Sequence, residues 1–210
     1  MEMYGSTVRG LRRLMNIPSS YEVFFISSGT EAMERIIQNC VAHQSAHIVT
    51  GSFSERWMTT SKQLGMKTEE HRVPDGVAPD LANTVFSKST EIICLTHNET
   101  STGTVLQLSA IKNLRKKYPN ALIALDTVSS APLAKLDFKL LDCVFFSVQK
   151  GFGLPAGLGI MVMSPRAMAK HQRLATKALT GTYHSFTELK KYADKNQTPE
   201  TPNVLGIYLL

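Results

Sequence analysis

Lys150 closes an apolar run, Phe145-Phe146-Ser147-Val148-Gln149, and glycines follow it at once in Gly151-Phe152-Gly153. A lysine at the mouth of a buried strand can be a solvated surface group, a phosphate ligand or a covalent nucleophile for a carbonyl. Asp126 lies 24 residues earlier, at the end of Leu122-Ile123-Ala124-Leu125 and ahead of Thr127, Ser129 and Ser130. A carboxylate there could hold a metal, accept a proton, sit against a protonated ring nitrogen, or only cap the next turn. Ser28-Gly29-Thr30-Glu31 opens a helical pattern directly after an apolar run, with Ser28 and Glu31 at capping-box spacing. Free backbone N–H groups at such a start suit a phosphate, or the turn is simply a well-capped helix.

One cofactor asks for all of these parts together: a phosphate, a ring nitrogen kept protonated, a flat ring face and an aldehyde. That cofactor is pyridoxal phosphate, bound through a lysine Schiff base with an Asp at the pyridinium. In a partly dry cleft near Asp126, the Lys150 amine would be available as the nucleophile. Phe53, in the turn Gly51-Ser52-Phe53, could cover the ring face or fill the core. Thr100 offers a hydroxyl for the ring phenolate oxygen.

Such residues need strand ends to carry them. Apolar runs at Val23–Ile26, Ala46–Thr50, Lys67–Val73, Glu91–Thr96, Ala121–Asp126, Cys143–Val148 and Gly159–Met163 alternate with helical patterns. One helix places Ala32, Met33, Ile36, Ile37, Cys40 and Val41 on one side. Others are expected over Glu55–Leu64, Leu108–Lys117 and Pro165–Leu179. Alternation of this kind predicts an α/β fold with a mostly parallel sheet flanked by helices. Ligands of such sheets sit beyond the carboxyl ends of the strands. Those ends read Ser27-Ser28-Gly29-Thr30, Gly51-Ser52-Phe53, His97-Asn98-Glu99-Thr100, Asp126-Thr127 and Gln149-Lys150.

The 210 residues are 43% hydrophobic and 19% charged, which suits a globular protein and excludes a disordered one. The formal charge of +6 is spread along the chain without basic runs interleaved with aromatics, so a nucleic-acid partner is not expected. Cys40, Cys94 and Cys143 lie far apart in apolar segments, which fits reduced core thiols, a cytoplasmic location and no metal site. No apolar run reaches the roughly 18 residues of a membrane span. Arg9, Arg12 and Arg13 give the first fifteen residues a faint likeness to a transit peptide. An amphipathic helix with Val8, Leu11, Leu14 and Met15 on one face is the simpler reading.

Four ordered segments carry a family likeness: Ser28-Gly29-Thr30, Asn98-Glu99-Thr100-Ser101-Thr102-Gly103, Asp126-Thr127-Val128-Ser129-Ser130 and Ser147-Val148-Gln149-Lys150. Together they resemble the class V aminotransferases of fold type I, the group that includes phosphoserine aminotransferase and the alanine- and serine-glyoxylate aminotransferases. The resemblance implies a pyridoxal-phosphate-dependent enzyme that moves an amino group between an amino acid and a 2-oxo acid. It implies that Lys150 forms the internal aldimine and later moves a proton, with Asp126 at the pyridinium nitrogen, Phe53 over the ring and Thr100 at the phenolate oxygen. Ser28, Gly29, Thr30 and Gln149 would serve the phosphate. Asn196-Gln197-Thr198-Pro199-Glu200-Thr201-Pro202 resembles the segment that enters the partner subunit's phosphate site, with Thr198 and Thr201 as contacts. A homodimer with shared active sites follows from that resemblance.

Gln149 before Lys150 resembles the aminotransferases rather than the cysteine desulfurases, which usually carry histidine there. Pro155-Ala156-Gly157 is similar to phosphoserine aminotransferases, so phosphoserine:2-oxoglutarate exchange is the first expectation and glyoxylate-type exchange the second. By the same resemblance, residues 1–195 form the cofactor-binding large domain and 196–210 start the connection to a small C-terminal domain. The chain opens inside what reads as the large domain's first helix and stops at Gly206-Ile207-Tyr208-Leu209-Leu210. The family's N-terminal segment and small domain, with its substrate-carboxylate arginine, would thus be missing. A non-catalytic cofactor-binding domain is the remaining alternative.

Overall fold

The computed structural model describes residues 2–176 and 180–210. In chain order these form α1 (Glu2–Met15), β1 (Glu22–Ile26), α2 (Gly29–Cys40), β2 (Gln44–Val49), α3 (Ser52–Gln63) and β3 (Lys67–Arg72). β4 (Ile92–Thr96) leads into a short hairpin of β5 (Asn98–Glu99) and β6 (Thr104–Val105), then α4 (Ala110–Lys117) and β7 (Leu122–Asp126). A 3-10 turn at Phe138–Leu140 precedes β8 (Cys143–Ser147), β9 (Gly159–Met163), α5 (Pro165–Ala175), α6 (Phe186–Ala193) and α7 (Val204–Leu209).

Seven strands make one sheet in the order β1-β9-β8-β7-β4-β2-β3. β9 runs antiparallel to both of its neighbours, and the remaining pairs are parallel. The expected mostly parallel α/β sheet is therefore present. Its central strands are buried from end to end, because helices cover both faces and leave no solvated side to alternate against.

Side-chain parity divides the core into two layers. Along β7, Leu122 and Ala124 face the layer of α2, α5 and α6, while Ile123 and Leu125 face the layer of α1 and α4. Along β8, Cys143 and Phe145 take the first side and Val144 and Phe146 the second. Fully burying each of the larger side chains contributes about 1.5–3 kcal/mol. Parity also fixes the strand ends: two residues beyond Cys94, Ala124 and Phe145 come Thr96, Asp126 and Ser147, all on the α2 face.

Several expectations need correction. Leu14 is 59% exposed although Leu11 and Met15 are buried, because the apolar stripe of α1 is narrower than the pattern implies. α3 begins at Ser52, so Phe53 lies in the first turn of a helix and not in a strand-end turn. The helix expected to reach Leu179 runs over Pro165–Ala175, and residues 177–179 lie outside the described residues. The hairpin β5–β6 and helix α6 had no counterpart in the sequence reading. Within residues 196–210, α7 packs on α1, where the Thr7 hydroxyl donates to the Ile207 carbonyl (3.1 Å). Among the described residues no helix is long and apolar enough to cross a membrane.

Candidate active site

The carboxyl ends of β1, β4, β7 and β8 and the first turns of α2 and α3 enclose a cavity of about 260 Å³. That volume is near the low end of small-molecule sites, roughly 300–1,000 Å³. Ser28, Gly29, Thr30, Phe53, Thr100, Asp126, Gln149 and Lys150 all line it. These residues span more than half of the chain, and the sheet order brings them to one place.

Asp126 forms the floor. It is 4% exposed, and its Oδ1 accepts the Val128 N–H at 2.8 Å. Burial raises its carboxyl from 3.8 to about 7, with the Val128 hydrogen bond opposing the rise and the charge of Glu99 adding to it. An acid so placed suits a ring nitrogen that must share a proton. Thr96 stands beside it in the β4–β7 register; its hydroxyl is buried and has no hydrogen-bond partner among the described residues.

The start of α2 forms the opposite side of the cavity. Here the expectation of several free N–H groups is too generous. The Gly29 N–H donates to Ser147 Oγ (2.9 Å) and the Glu31 N–H to Ser28 Oγ (3.1 Å), which leaves the Thr30 N–H without a partner among the described residues. Half of the expected capping box is replaced as well: the Glu31 carboxylate accepts the Ser27 N–H (2.6 Å), one residue earlier than the box requires. Gly29 permits a close approach here: a Cβ would lie 2.8 Å from Val128 Cγ2, so a larger residue would force a neighbour to shift.

Lys150 departs from expectation in another way. It and Gln149 are exposed at the rim of the cavity and not in a dry cleft, since β8 ends at Ser147 and the chain turns outward into Gly151. Phe53, 41% exposed, lines the wall from α3. Thr198 and Thr201 lie outside this lining; Thr198 borders a separate cleft with Met3 and Tyr4. Among the described residues no group of His, Cys, Asp or Glu could hold a metal ion. The metal alternative for Asp126 therefore gains no support.

Sequence reasoning missed Met33, Arg56, Thr96, Asn98, Val128, Ser129 and Ser147 as lining residues. Thr96 and Ser147 were legible in principle from their parity with Asp126, whereas Arg56 follows from Phe53 one helical turn on.

A family model described as aminotransferase class-V matches residues 1–210. The chain belongs to the class-V aminotransferases. Class-V resemblance at the level of solved structures is strong: a phosphoserine aminotransferase from Cytophaga hutchinsonii superposes with a TM-score of 0.97 and 44% identity, over 99% of this chain and 58% of that one. A soluble hydrogenase 42 kDa subunit from Anabaena cylindrica is 32% identical over 96% of this chain and 54% of its own length. A serine–glyoxylate aminotransferase from Hyphomicrobium methylovorum is 29% identical, over 91% and 50% respectively. The chain thus spans about half the length of the curated relatives it matches.

Class-V membership also accords with the donor set around the cavity. A buried acid of raised pKa, an amine at the rim, apolar walls from Phe53 and Val128 and, among the described residues, an unpartnered N–H at a helix start and an unpartnered buried hydroxyl fit a phosphorylated aromatic aldehyde.

Proposed function

We propose that this chain is the pyridoxal-phosphate-binding large domain of an aminotransferase that exchanges an amino group between an amino acid and a 2-oxo acid. The observation that carries this reading is the convergence of Ser28, Gly29, Thr30, Phe53, Thr100, Asp126, Gln149 and Lys150 on one cavity. Phosphoserine:2-oxoglutarate exchange is the favoured pair, supported by the 44% identity to a phosphoserine aminotransferase.

Bound there, pyridoxal phosphate supplies an aldehyde for amines and a ring that withdraws electrons from the substrate α-carbon. Thr30 N–H and Gln149 hold the phosphate, and Thr100 orients the ring oxygen. Phe53 and Val128 would supply apolar contacts for the ring. Asp126 holds a proton at the ring nitrogen. Lys150 would hold the aldehyde carbon through its Nζ, and the same amine, when free, would carry the proton from the substrate α-carbon to the former aldehyde carbon. Thr198 and Thr201 act across a homodimer on the partner's phosphate, a role that suits their position outside this chain's own cavity. A cytoplasmic setting suits three buried free thiols.

The test is to titrate the purified chain with pyridoxal phosphate and follow the visible absorbance of a lysine-bound cofactor. That band should form, vanish in Lys150→Ala, and shift to the amine form of the cofactor with phosphoserine or glutamate. Failure of the wild-type chain to form the band overturns the reading. A shift with serine or alanine that glyoxylate then reverses, with no shift on adding phosphoserine, would replace the substrate pair.

A further inference from the structure

We infer that Glu99 is a positioning residue of this site: its buried carboxylate locks the first turn of α3, which carries Phe53, to the loop that carries Thr100. The inference rests on the proposed cofactor role of Phe53 and Thr100. Nothing in the motif Asn98-Glu99-Thr100 assigned Glu99 a task.

Glu99 is 0% exposed, and among the described residues no lysine, arginine or histidine pairs with it. A buried carboxylate without a counter-charge persists only where donors surround it. They do so here. Oε1 accepts the Ser101 hydroxyl (2.6 Å) and the Phe53 N–H (3.3 Å), and Oε2 accepts the Ser54 N–H (3.0 Å) and the Ser54 hydroxyl (2.9 Å). Ser101 Oγ in turn accepts the Ser52 N–H at 2.9 Å. Burial pushes the Glu99 carboxyl up, but the hydrogen bonds from Ser101, Ser54 and Phe53 outweigh it and hold it below the usual range.

Three successive N–H groups at the start of α3 are therefore satisfied from 45 to 49 residues away. A helix normally caps its own start with a side chain at the N-cap. α3 has Gly51 there, which has no side chain to offer. Space explains the choice: a Cβ on Gly51 would lie 2.4 Å from Ser101 Oγ and 2.6 Å from Glu99 Cγ. The local cap is given up so that a carboxylate from the neighbouring loop can enter, and the positive end of the helix dipole favours its charge. Phe53 on one wall of the cavity and Thr100, next to Glu99 in sequence, then move as one body.

The test uses the 210-residue chain with Glu99→Gln, Phe53→Ala and the double variant. Glu99→Gln puts an amide donor against the Ser54 donors, so amide exchange at Phe53 and Ser54 in the cofactor-free chain should quicken by about 10-fold or more. Pyridoxal phosphate should bind about 10-fold more weakly, with weaker circular dichroism from the bound cofactor. If Glu99 acts through Phe53, the double variant binds within about 2-fold of Phe53→Ala alone. Unchanged exchange in Glu99→Gln, or losses that multiply in the double variant, overturn the inference. Should Glu99→Gln not fold, Ser101→Ala at an exposed position must show the same pattern at smaller size, and unchanged exchange and affinity there overturn it too. A wild-type chain that binds no cofactor sinks the functional reading alone, because the exchange measurement needs none.

Discussion

The Gly29 N–H donates to Ser147 Oγ at 2.9 Å, across 118 residues of sequence. This bond ties the turn at the start of α2 to the end of β8, three residues before Lys150. The two ends of the proposed cofactor, phosphate and aldehyde, are thereby set at a fixed separation by one main-chain donor and one hydroxyl.

Gly29→Ala should break that arrangement. The added methyl would sit 2.8 Å from Val128 Cγ2 and 3.2 Å from Ser147 Oγ, so either the turn or the Asp126 loop must shift. Overpacking of this kind costs about 1–3 kcal/mol. Thermal melting should show that loss, and a pyridoxal phosphate titration should show weakened binding. Melting and binding both equal to wild type would refute the close approach.

Lys150→Ala should behave in the opposite way. The side chain is exposed and makes no ion pair among the described residues, so the substitution should change stability by no more than about 0.5 kcal/mol. Denaturant melts should overlay wild type while the visible band of the lysine-bound cofactor disappears completely.

Asp126→Asn separates stability from function by pH. The native carboxyl titrates at about 7 against an ordinary 3.8, so the folded chain binds more protons than the unfolded one between these values. Stability contributed by this group is fully present below about 3.8 and is lost as pH rises toward 7. The neutral amide keeps an acceptor for the Val128 N–H and removes that loss. Cofactor-free Asp126→Asn should be more stable than wild type at pH 8, by at most on the order of 4 kcal/mol, and nearly equal at pH 4. Equal stability at both pH values would mean that Asp126 is not desolvated as described. Cofactor affinity should fall in the same variant, as expected of a site whose function is held against stability.

Asp142, at the other end of β8, tests the fold without touching the site. Its carboxylate accepts the Ile123 N–H (2.9 Å) and the Ser164 hydroxyl (3.0 Å) and pairs with Arg115. Asp142→Ala leaves the buried Ile123 N–H without a partner and Arg115 without its counter-charge, held only by the Leu140 and Ala121 carbonyls. The expected loss is about 3–5 kcal/mol, read from the denaturant midpoint. A loss below about 1 kcal/mol would show that water replaces the carboxylate at low cost.

The sequence by itself determined the seven strands of the main sheet, most of the helices and the strand-end positions of Asp126, Gln149 and Lys150. Apolar runs and their polar stops are local properties, and side-chain parity follows from them. In the same way Ser28-Gly29-Thr30 could be read as a helix start before any contact was known. Tertiary structure decided which strand ends become neighbours, because sheet order joins residues with no local relation: β4 beside β7, β7 beside β8, and β9 reversed between β8 and β1. It also decided how the donors are used. Ser147 takes the Gly29 N–H, and Glu99 caps a helix whose N-cap is a glycine. Among the described residues the buried Thr96 hydroxyl has no partner beside Asp126. Each of these depends on burial and on distances between segments far apart in the chain, which periodicity cannot encode.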